Sequence, residues 1–553
     1  MLTSSTSKLC ANCHRAFHIY ADDRLFLEQM KLPDPTFCSE CRLQRRLAFR
    51  NERSLYKRAC DLCKQEIISM FSPHRDYTVY CPSCFHSDRW DPLEYGREYD
   101  WDRPFFEQWL SLHRTIPHLS LLQENVVESP WINYETDAKH CYLNVGGAQN
   151  EDSAYNQYAL KSRDSFDNYW LMQGDYCYES ILCERGYKVW FSTLCHDSRE
   201  TYFSYDCRNC SNIIGCTGLR NQQYVIFNNQ VSKEEFEQYL VKYAFSSHEN
   251  IQKLKHEVAK FRHGQPQRAM FIERSVYSSG NFLKDSKQCF QCVATEKTED
   301  ARYGMFLLEV RDAMDTTSVW EGEKLYEFMG GAQQLSKVFF STGILRGGRN
   351  IEYSDMLFNC SNCFGCVNLK NQKYCILNKQ YSRDEYDEEI SKIKFHMSKT
   401  PYIDTKGIMY KYGEFFPPEL SPFEYHETVA NEYFPLEEQV VPRSSLHQIS
   451  DYQIPDDIRN VDDDILEKVL QCEISKKPYR ITPMELAFYR RFGLPIPRRA
   501  PFERHHQRLA FINNHRHLYN AKCFSCNTEI HSAFLPSEFP HVLCEPCYLK
   551  KIV

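Results

Sequence analysis

The chain has 553 residues, of which 25% are charged and 42% hydrophobic, and its formal charge is -7. This length exceeds one compact core, so we expect several domains. The small net charge excludes a polycation, so any nucleic-acid surface has to be a local patch. The first residues lack a signal-peptide core, and no run approaches the roughly 18 apolar residues that span a bilayer. We therefore expect no membrane association and a cytoplasmic location, where cysteines stay reduced.

Twelve of the 26 cysteines form CxxC pairs that combine into three quartets. A CxxC turn points two sulfurs at one centre, and a second pair completes a tetrahedron around Zn²⁺. Four thiolates leave no open position, so we predict about three structural zinc ions and no catalytic one. The predicted ligands are Cys10, Cys13, Cys38 and Cys41; Cys60, Cys63, Cys81 and Cys84; and Cys523, Cys526, Cys544 and Cys547.

The segment that joins the first two quartets is strongly basic. Spacings of three and four residues would align its charges along one helical face, where they could bind phosphates. The alternatives are a solvated basic face and arginines that bridge acidic parts of the same protein. The candidate nucleic-acid-binding residues are Arg42, Arg45, Arg46, Arg50, Arg53, Lys57 and Arg58.

The middle of the chain is duplicated. Arg163-Asp164 returns as Arg311-Asp312, 148 residues later, whereas Asn209-Cys210 returns as Asn359-Cys360 at an offset of 150. Short β-prone runs recur every 10–12 residues within each copy, which is typical of a sandwich, a barrel or a solenoid. We favour a parallel β-solenoid, because stacked coils would align the aromatic, asparagine and cysteine side chains into ladders.

The two ends of the chain are copies of each other as well. Cys60 and Cys63 recur as Cys523 and Cys526 at an offset of 463, and Arg46-Leu47-Ala48-Phe49 recurs as Arg508-Leu509-Ala510-Phe511 at an offset of 462. At the latter offset only Cys472 keeps its thiol, because Ser475, Ala500 and Glu503 replace the other three cysteines. We predict a metal-free remnant there. A rebuilt site of Cys472 with His505 or His506 is the alternative.

These patterns predict a mostly β protein with zinc-ribbon or treble-clef modules at both ends, a duplicated parallel β-solenoid between them, and helical connectors. Ser232 and Ser382 are predicted helix caps, and the first of these helices is expected to continue to about Phe261. The predicted segments are 1–50 (module A, zinc ribbon), 51–128 (module B, zinc ribbon with connector), 129–231 (copy 1), 232–276 (helical connector), 277–381 (copy 2), 382–471 (helix and Pro-, aromatic- and acid-rich strap), 472–515 (module C, the degenerate ribbon) and 516–553 (module D, zinc ribbon).

Evidence for catalysis is weaker. Phosphate-loop, GxSxG and HExxH patterns are absent from the sequence. The best carboxylate candidates are Asp164 with Asp167 and Asp312 with Asp315, which could act as acids or bases on a coil face, or could merely hydrogen-bond a turn. Cys360, Cys363 and Cys366 are spaced like metal ligands, but copy 1 has Ile213 at the middle position, so a buried thiol ladder is the preferred interpretation.

Two blocks carry a resemblance: Cys38-Ser-Glu-Cys41-Arg-Leu-Gln-Arg-Arg-Leu-Ala-Phe-Arg-Asn-Glu-Arg53, and Tyr412-Gly-Glu-Phe-Phe-Pro-Pro-Glu-Leu-Ser-Pro-Phe423 with Glu432-Tyr-Phe-Pro-Leu436. The chain resembles uncharacterised bacterial proteins of very small, host-dependent lineages, which have several zinc ribbons and a repeat domain rich in cysteine and aromatic residues. The resemblance implies this architecture and no activity. Such proteins usually have a complete cysteine pair where this chain has Ala500 and Glu503.

From the sequence we expect a non-enzymatic zinc protein that binds nucleic acid or a ribonucleoprotein, with the repeats as a rigid scaffold. A protein–protein scaffold without nucleic acid is the first alternative. A solenoid enzyme acting on a carbohydrate or a similar polymer is the second.

Overall fold

The chain is sheet-rich and divides into two compact units, each built from two separate stretches of sequence. The computed structural model describes residues 5–320, 322–332, 334–436 and 449–552. Unit 1 comprises Met1–Leu121 and Met270–Gln439, and unit 2 comprises Leu122–Ala269 and Val440–Val553. The grouping is therefore crosswise: modules A and B belong with copy 2, and modules C and D belong with copy 1.

Copy 1 forms two open sheets in which paired residues of neighbouring parallel strands are 12 residues apart. Gln157, for example, pairs with both Val145 and Tyr169. The first sheet contains Gln123–Glu124, Asn133–Thr136, Val145–Ala148, Gln157–Leu160, Tyr169–Met172 and Ile181–Glu184; the second contains Tyr187–Trp190, Arg199–Tyr202, Ser211–Ile214, Gln223–Ile226 and the antiparallel Asn229–Gln230.

The 12-residue register is reinforced by buried side chains that repeat at the same interval. Asn144 Oδ1 accepts the backbone N–H of Asn156, and Asn156 Oδ1 accepts that of Asn168, each at 3.0 Å. Cys183, Cys195 and Cys207 form a second buried series at this spacing. The side-chain oxygens of Asn144 and Asn156 thus accept hydrogen bonds from the next repeat, which compensates for their burial.

The backbone bends at every third residue, within the short strands as well as between them, because these residues adopt a left-handed conformation. Tyr155, Tyr158, Lys161 and Asp164 have φ between 46° and 60°. A positive φ is most strained for β-branched side chains, and the non-glycine residues with positive φ in the described parts of the chain include no Val, Ile or Thr. Four three-residue segments therefore make up each 12-residue repeat.

Copy 2 follows the same plan with two longer steps. Gly322 pairs with Leu335, and Leu335 pairs with Gly348, so both intervals are 13 residues. These two extra residues explain why the sequence offset between the copies rises from 148 to 150. The strands of its sheets are Ile272–Glu273, Gly280–Lys284, Cys292–Glu296, Met305–Leu308 and Thr317–Trp320; Glu299–Arg302, Arg311–Met314, Gly322–Tyr326, Leu335–Phe339, Gly348–Glu352, Cys360–Phe364, Lys373–Ile376 and Lys379–Gln380; and Gly330–Ala332 with Gly343–Leu345.

The four modules each begin with an antiparallel hairpin and continue into a helix, and the hairpin of module C begins two residues before the predicted bound of 472. The hairpins are Ser5–Leu9 with Ala16–Tyr20, Tyr56–Ala59 with Glu66–Ser69, Leu470–Gln471 with Pro478–Tyr479, and Tyr519–Lys522 with Glu529–Ser532. The module helices are Ala21–Met30, Ser39–Leu47, Pro82–Phe85 and Phe105–Thr115 in unit 1, and Pro483–Phe492, Pro501–His515 and Glu545–Ile552 in unit 2. Short strands pair Val79–Tyr80 with His118–Leu119 and Gln267–Arg268 with Val542–Leu543.

Each repeat copy is followed by a capped helix, as the sequence predicted. Ser232 and Ser382 accept the backbone N–H of the glutamate three residues later, which stabilises the first turn of each helix. The first helix was predicted to continue to about Phe261, but it ends at Lys242. Ser247 caps a separate helix, His248–His263, so the connector has two helices; the second capped helix is Arg383–Lys399.

The predicted strap is divided between the units, and its residues 437–448 lie outside the described residues. Its first part contains the strands Tyr402–Ile403 and Met409–Tyr410, the helix Val429–Tyr433 and the 3₁₀ turns Pro418–Leu420 and Tyr425–Glu427. Phe415 and Phe416 belong to the main core of unit 1. The second part has the 3₁₀ turns Ile458–Asn460 and Asp463–Glu467, and Ile458 and Ile465 belong to the main core of unit 2. Both parts are core-forming.

Candidate metal centres and buried arginine sites

The three predicted quartets assemble as the sequence spacing requires. In each, the four sulfurs all lie within 4.8 Å of one another. Sulfurs bound 2.3 Å from one tetrahedral centre are about 3.8 Å apart. The Sγ–Sγ distances are 3.8 Å for Cys13–Cys38, 3.9 Å for Cys63–Cys81 and 3.7 Å for Cys526–Cys544. These three groups are therefore compatible with structural zinc.

The local backbone explains why the sulfurs converge. In module B, Cys60 N–H donates to Gln65 O at 2.8 Å, and Lys64 N–H donates to Cys60 O at 2.9 Å in a turn with positive φ at Lys64. Cys81 then precedes the helix Pro82–Phe85 and donates its N–H to Cys60 Sγ at 3.3 Å. The hairpin turn thus presents the thiols of Cys60 and Cys63, and the beginning of the helix presents those of Cys81 and Cys84.

Backbone N–H groups favour thiolates within the quartets. Burial opposes ionisation of Cys60, but N–H groups of Cys63 and Cys81 outweigh it and lower its pKa to about 6. In module D, burial likewise opposes ionisation of Cys523, and N–H groups of Cys544 and Cys526 lower its pKa to about 6. A thiolate is the form that binds Zn²⁺, so modules B and D each have one cysteine whose surroundings favour the metal-binding form.

Module C keeps the backbone of a metal knuckle without its thiols. Cys472 N–H donates to Lys477 O at 2.9 Å, and Lys476 N–H donates to Cys472 O at 3.1 Å, with positive φ at Lys476. Ala500 caps the helix Pro501–His515 at the position that Cys38 occupies before Ser39–Leu47. In the described part of the chain, no group of three metal-binding side chains includes Cys472, His505 or His506.

The thiols of Cys360, Cys363 and Cys366 are buried within copy 2. Among the described residues they belong to no group with metal-ligand geometry. Cys360 and Cys366 instead approach the carbonyl oxygens of Leu369 and Cys375, at 3.4 and 3.3 Å. They pack as small apolar residues in the core of the repeat.

The arginines predicted to contact phosphate are mostly buried in ion pairs. On the helix Ser39–Leu47, Arg42 Nε donates to Asp315 Oδ2, and Arg45 donates to Glu327 and, at 2.8 Å, to Glu414. Arg46 is fully buried, 3.8 Å from Asp315 Oδ1, and its guanidinium has no hydrogen-bond acceptor within the described residues. These three arginines thus make five contacts with carboxylates inside unit 1.

Exposure of this helix face was therefore predicted wrongly. Arg42, Arg45, Arg46 and Arg50 are each at most 4% exposed. In the structure these arginines bridge acidic parts of the same protein, which was the alternative interpretation. Of the remaining candidates, Arg53 lies 3.7 Å from Glu432, Arg58 donates to Asp61 at 3.0 Å, and Lys57 is exposed near Glu66.

Unit 2 repeats this arrangement with the corresponding residues. Arg504 and Arg508, which align with Arg42 and Arg46, contact Asp167 at 3.2 and 3.0 Å, and Asp167 aligns with Asp315. Both aspartates are fully buried. A catalytic carboxylate must reach its substrate, so Asp167 and Asp315 do not serve as coil-face acids or bases. Asp164 contacts Arg491 at 3.2 Å, and Asp312 remains partly exposed.

Each buried arginine site has two further members that sequence reasoning missed. Tyr303 lies beneath Arg42 and donates its hydroxyl to Asp23 at 2.9 Å. In unit 2, Tyr155 lies beneath Arg504 and donates to Glu485 at 2.7 Å. Tyr155 and Tyr303 are separated by 148 residues, and Asp23 and Glu485 by 462 residues, which are the offsets that define the duplications. The offsets would have found them if every aligned polar pair had been compared.

The described residues contain one more group with metal-ligand geometry, formed by His113, His118 and Asp355. His113 and His118 are close in sequence, but Asp355 comes 242 residues after His113, so spacing gave no signal for the group. Comparison with known proteins adds no assignment to these sites: no protein-family profile matches the sequence, and no curated protein matches it. Within the described residues, no helix is both long and apolar enough to cross a membrane.

Proposed function

We propose that this protein is a non-enzymatic, zinc-stabilised scaffold for protein partners. In this proposal each repeat copy is a parallel β-solenoid of 12-residue coils, and modules A, B and D are zinc ribbons that clamp the solenoids. The uniform 12-residue register and the four bends per repeat support a solenoid. The sulfur separations near 3.8 Å support zinc in all three quartets.

The observation that carries the proposal is the duplicated burial of basic side chains on repeat aspartates. Arg42 and Arg46 contact Asp315, and Arg504 and Arg508 contact Asp167. Phosphate binding requires charges that reach solvent. The strongest basic segment of the sequence is instead used to hold modules to solenoids. The same contacts occupy two of the four candidate catalytic aspartates, which weakens the enzyme alternative.

The 13 cysteines of the two repeat copies are buried thiols, and none of them forms a disulfide within the described residues. Thiols in this number persist in reducing compartments, which supports our proposal of a cytoplasmic location. A scaffold also needs rigidity, and stacked solenoid coils joined by the asparagine series Asn144, Asn156 and Asn168 would supply it.

Binding to nucleic acid separates this proposal from the first expectation. We expect no saturable binding of mixed-sequence RNA or DNA tighter than about 10 µM at physiological salt. Tighter binding that falls steeply with salt, and that Lys57→Glu weakens, would overturn the proposal. The control is Glu66→Gln, which changes the partner of Lys57 and removes no positive charge.

Partner binding gives the positive test. Cross-linking in the source cells should attach specific proteins to the zinc-loaded chain. A Cys60→Ser variant, which loses one ligand of the module B quartet, should lose partners of unit 1 and keep those of unit 2. An unchanged set of partners after zinc removal would contradict a zinc-stabilised scaffold.

A further inference from the structure

A buried cluster in unit 1 combines two imidazoles and a carboxylate away from the cysteine quartets. His113 lies on the helix Phe105–Thr115, His118 lies on the strand His118–Leu119, and Asp355 lies in copy 2. One ligand atom of each residue lies within 4.8 Å of the other two. His113 Nε2 is 3.1 Å from Asp355 Oδ2. Nitrogen and oxygen ligands of tetrahedral zinc, bound at 2.0–2.1 Å, are about 3.3 Å apart.

Neighbouring groups hold two of the three side chains, His118 and Asp355, in fixed orientations. His118 Nε2–H donates to His113 O at 2.6 Å, which leaves Nδ1 with the lone pair in the neutral ring. Thr342 Oγ1 donates to Asp355 Oδ1 at 2.7 Å. Such second bonds from ligand side chains to carbonyls and hydroxyls are typical of metal sites, because they fix the tautomer and orientation of each ligand.

Aromatic rings enclose the two imidazoles. Trp109 stacks on His113 with ring centroids 4.5 Å apart, and Tyr77 meets both imidazoles edge-on. His113 and His118 are each 2% exposed, whereas the Asp355 side chain is 14% exposed. Water can therefore reach the cluster only on the carboxylate side. At the position aligned with Asp355, copy 1 has Tyr205, which packs beneath Arg262. Unit 2 is thus a natural comparison without the carboxylate.

We propose that His113, His118 and Asp355 bind one divalent transition-metal ion, Zn²⁺ in the first place. Imidazole nitrogen suits Zn²⁺ and its first-row neighbours, and a single carboxylate completes a three-residue set. Three protein ligands leave one position for water or a small ligand, in contrast to the closed cysteine quartets. The ion would link module B to copy 2 beside the two-stranded sheet formed by Val79–Tyr80 and His118–Leu119.

Metal content of the full-length chain tests this proposal. After loading with Zn²⁺ and removal of the excess, we expect four ions per chain, and three in His118→Phe and in Asp355→Asn. Phenylalanine keeps an aromatic ring against Tyr77, and asparagine keeps the acceptor for Thr342. The matched control is His515→Phe, because His515 is a half-buried histidine that donates Nδ1–H to Phe511 O at 2.7 Å within an aromatic cluster. It should retain four ions.

Substitution with Co²⁺ distinguishes this site from the quartets. Sulfur-to-cobalt charge transfer reports the three cysteine sites and should be equal in all four proteins. The weaker absorption of a nitrogen- and oxygen-ligated Co²⁺ should be absent only from His118→Phe and Asp355→Asn. Three ions in the unmodified chain, or four in both variants, would overturn the proposal and show a hydrogen-bonded histidine–aspartate pair instead. Loss of the sulfur signal alone would contradict the proposed zinc ribbons.

Discussion

Neutralising Asp315 should destabilise unit 1 because it removes the carboxylate shared by two buried arginines. Asp315→Asn preserves the shape of the side chain, but leaves Arg42 without its ion pair and Arg46 with Glu327 at 3.9 Å as its nearest remaining carboxylate. Breaking a buried pair from one side costs about 3–5 kcal/mol. At about 2 °C per kcal/mol for a unit of this size, the melting temperature should fall by about 6–10 °C.

The assay is calorimetry combined with hydrogen exchange followed by mass spectrometry, which reports each unit separately. Asp167→Asn should produce the same loss in unit 2, because Asp167 holds Arg504 and Arg508. The control is Asp312→Asn, a partly exposed aspartate that makes no ion pair within the described residues; its effect should stay within about 0.5 kcal/mol. An Asp315→Asn effect no larger than that of the control would refute the claim that these contacts hold unit 1 together.

Three other predictions follow from the modules. Chelation of zinc should destabilise both units, because two quartets lie in unit 1 and one lies in unit 2. Hydrogen exchange that rises only in residues 5–121 and 516–552, while both repeat copies stay unaffected, would contradict this prediction. The triple variant Ser475→Cys, Ala500→Cys and Glu503→Cys should bind one additional Zn²⁺ in metal analysis, because Cys472 already has the backbone turn of a zinc knuckle. An unchanged metal count would show that module C has also lost the backbone geometry of a metal site. Burial lowers the pKa of His515 to about 4, although its bond to Phe511 O opposes the shift, so the unfolded state binds the extra proton between pH 6.5 and 4. Stability of unit 2 should therefore fall as the pH is lowered through that window, by at most about 2 kcal/mol at pH 5, and His515→Phe should remove that part of the pH dependence; an identical pH profile in the variant would contradict it.

Local chemistry was readable from the sequence. A CxxC pair sets its own turn, so the twelve quartet cysteines could be assigned without knowing the fold. The helix caps Ser232 and Ser382 were equally local. The change in sequence offset from 148 to 150 reflects the two 13-residue intervals of copy 2. Only the strand register shows which strands these intervals separate.

Exposure was the property that the sequence could not supply. The spacing of Arg42 and Arg45 indicates a basic helical face. It does not reveal that the face is buried, because the partners Asp315 and Glu327 lie more than 270 residues away in the sequence. The crosswise grouping of modules and copies has the same origin, because chain order carries no information about which copy a module contacts. One available signal was overlooked: every third residue of copy 1 avoids β-branched side chains, as left-handed backbone demands.

Zero-length cross-linking of the intact chain tests the crosswise grouping most directly. Glu98 of module B accepts a hydrogen bond from Lys379 of copy 2, and both side chains are accessible to a carbodiimide. Mass spectrometry should identify a Glu98–Lys379 cross-link. If Lys379 is joined instead to carboxylates of residues 449–552, and Glu98 to copy 1, the assignment of modules A and B to copy 2 is wrong.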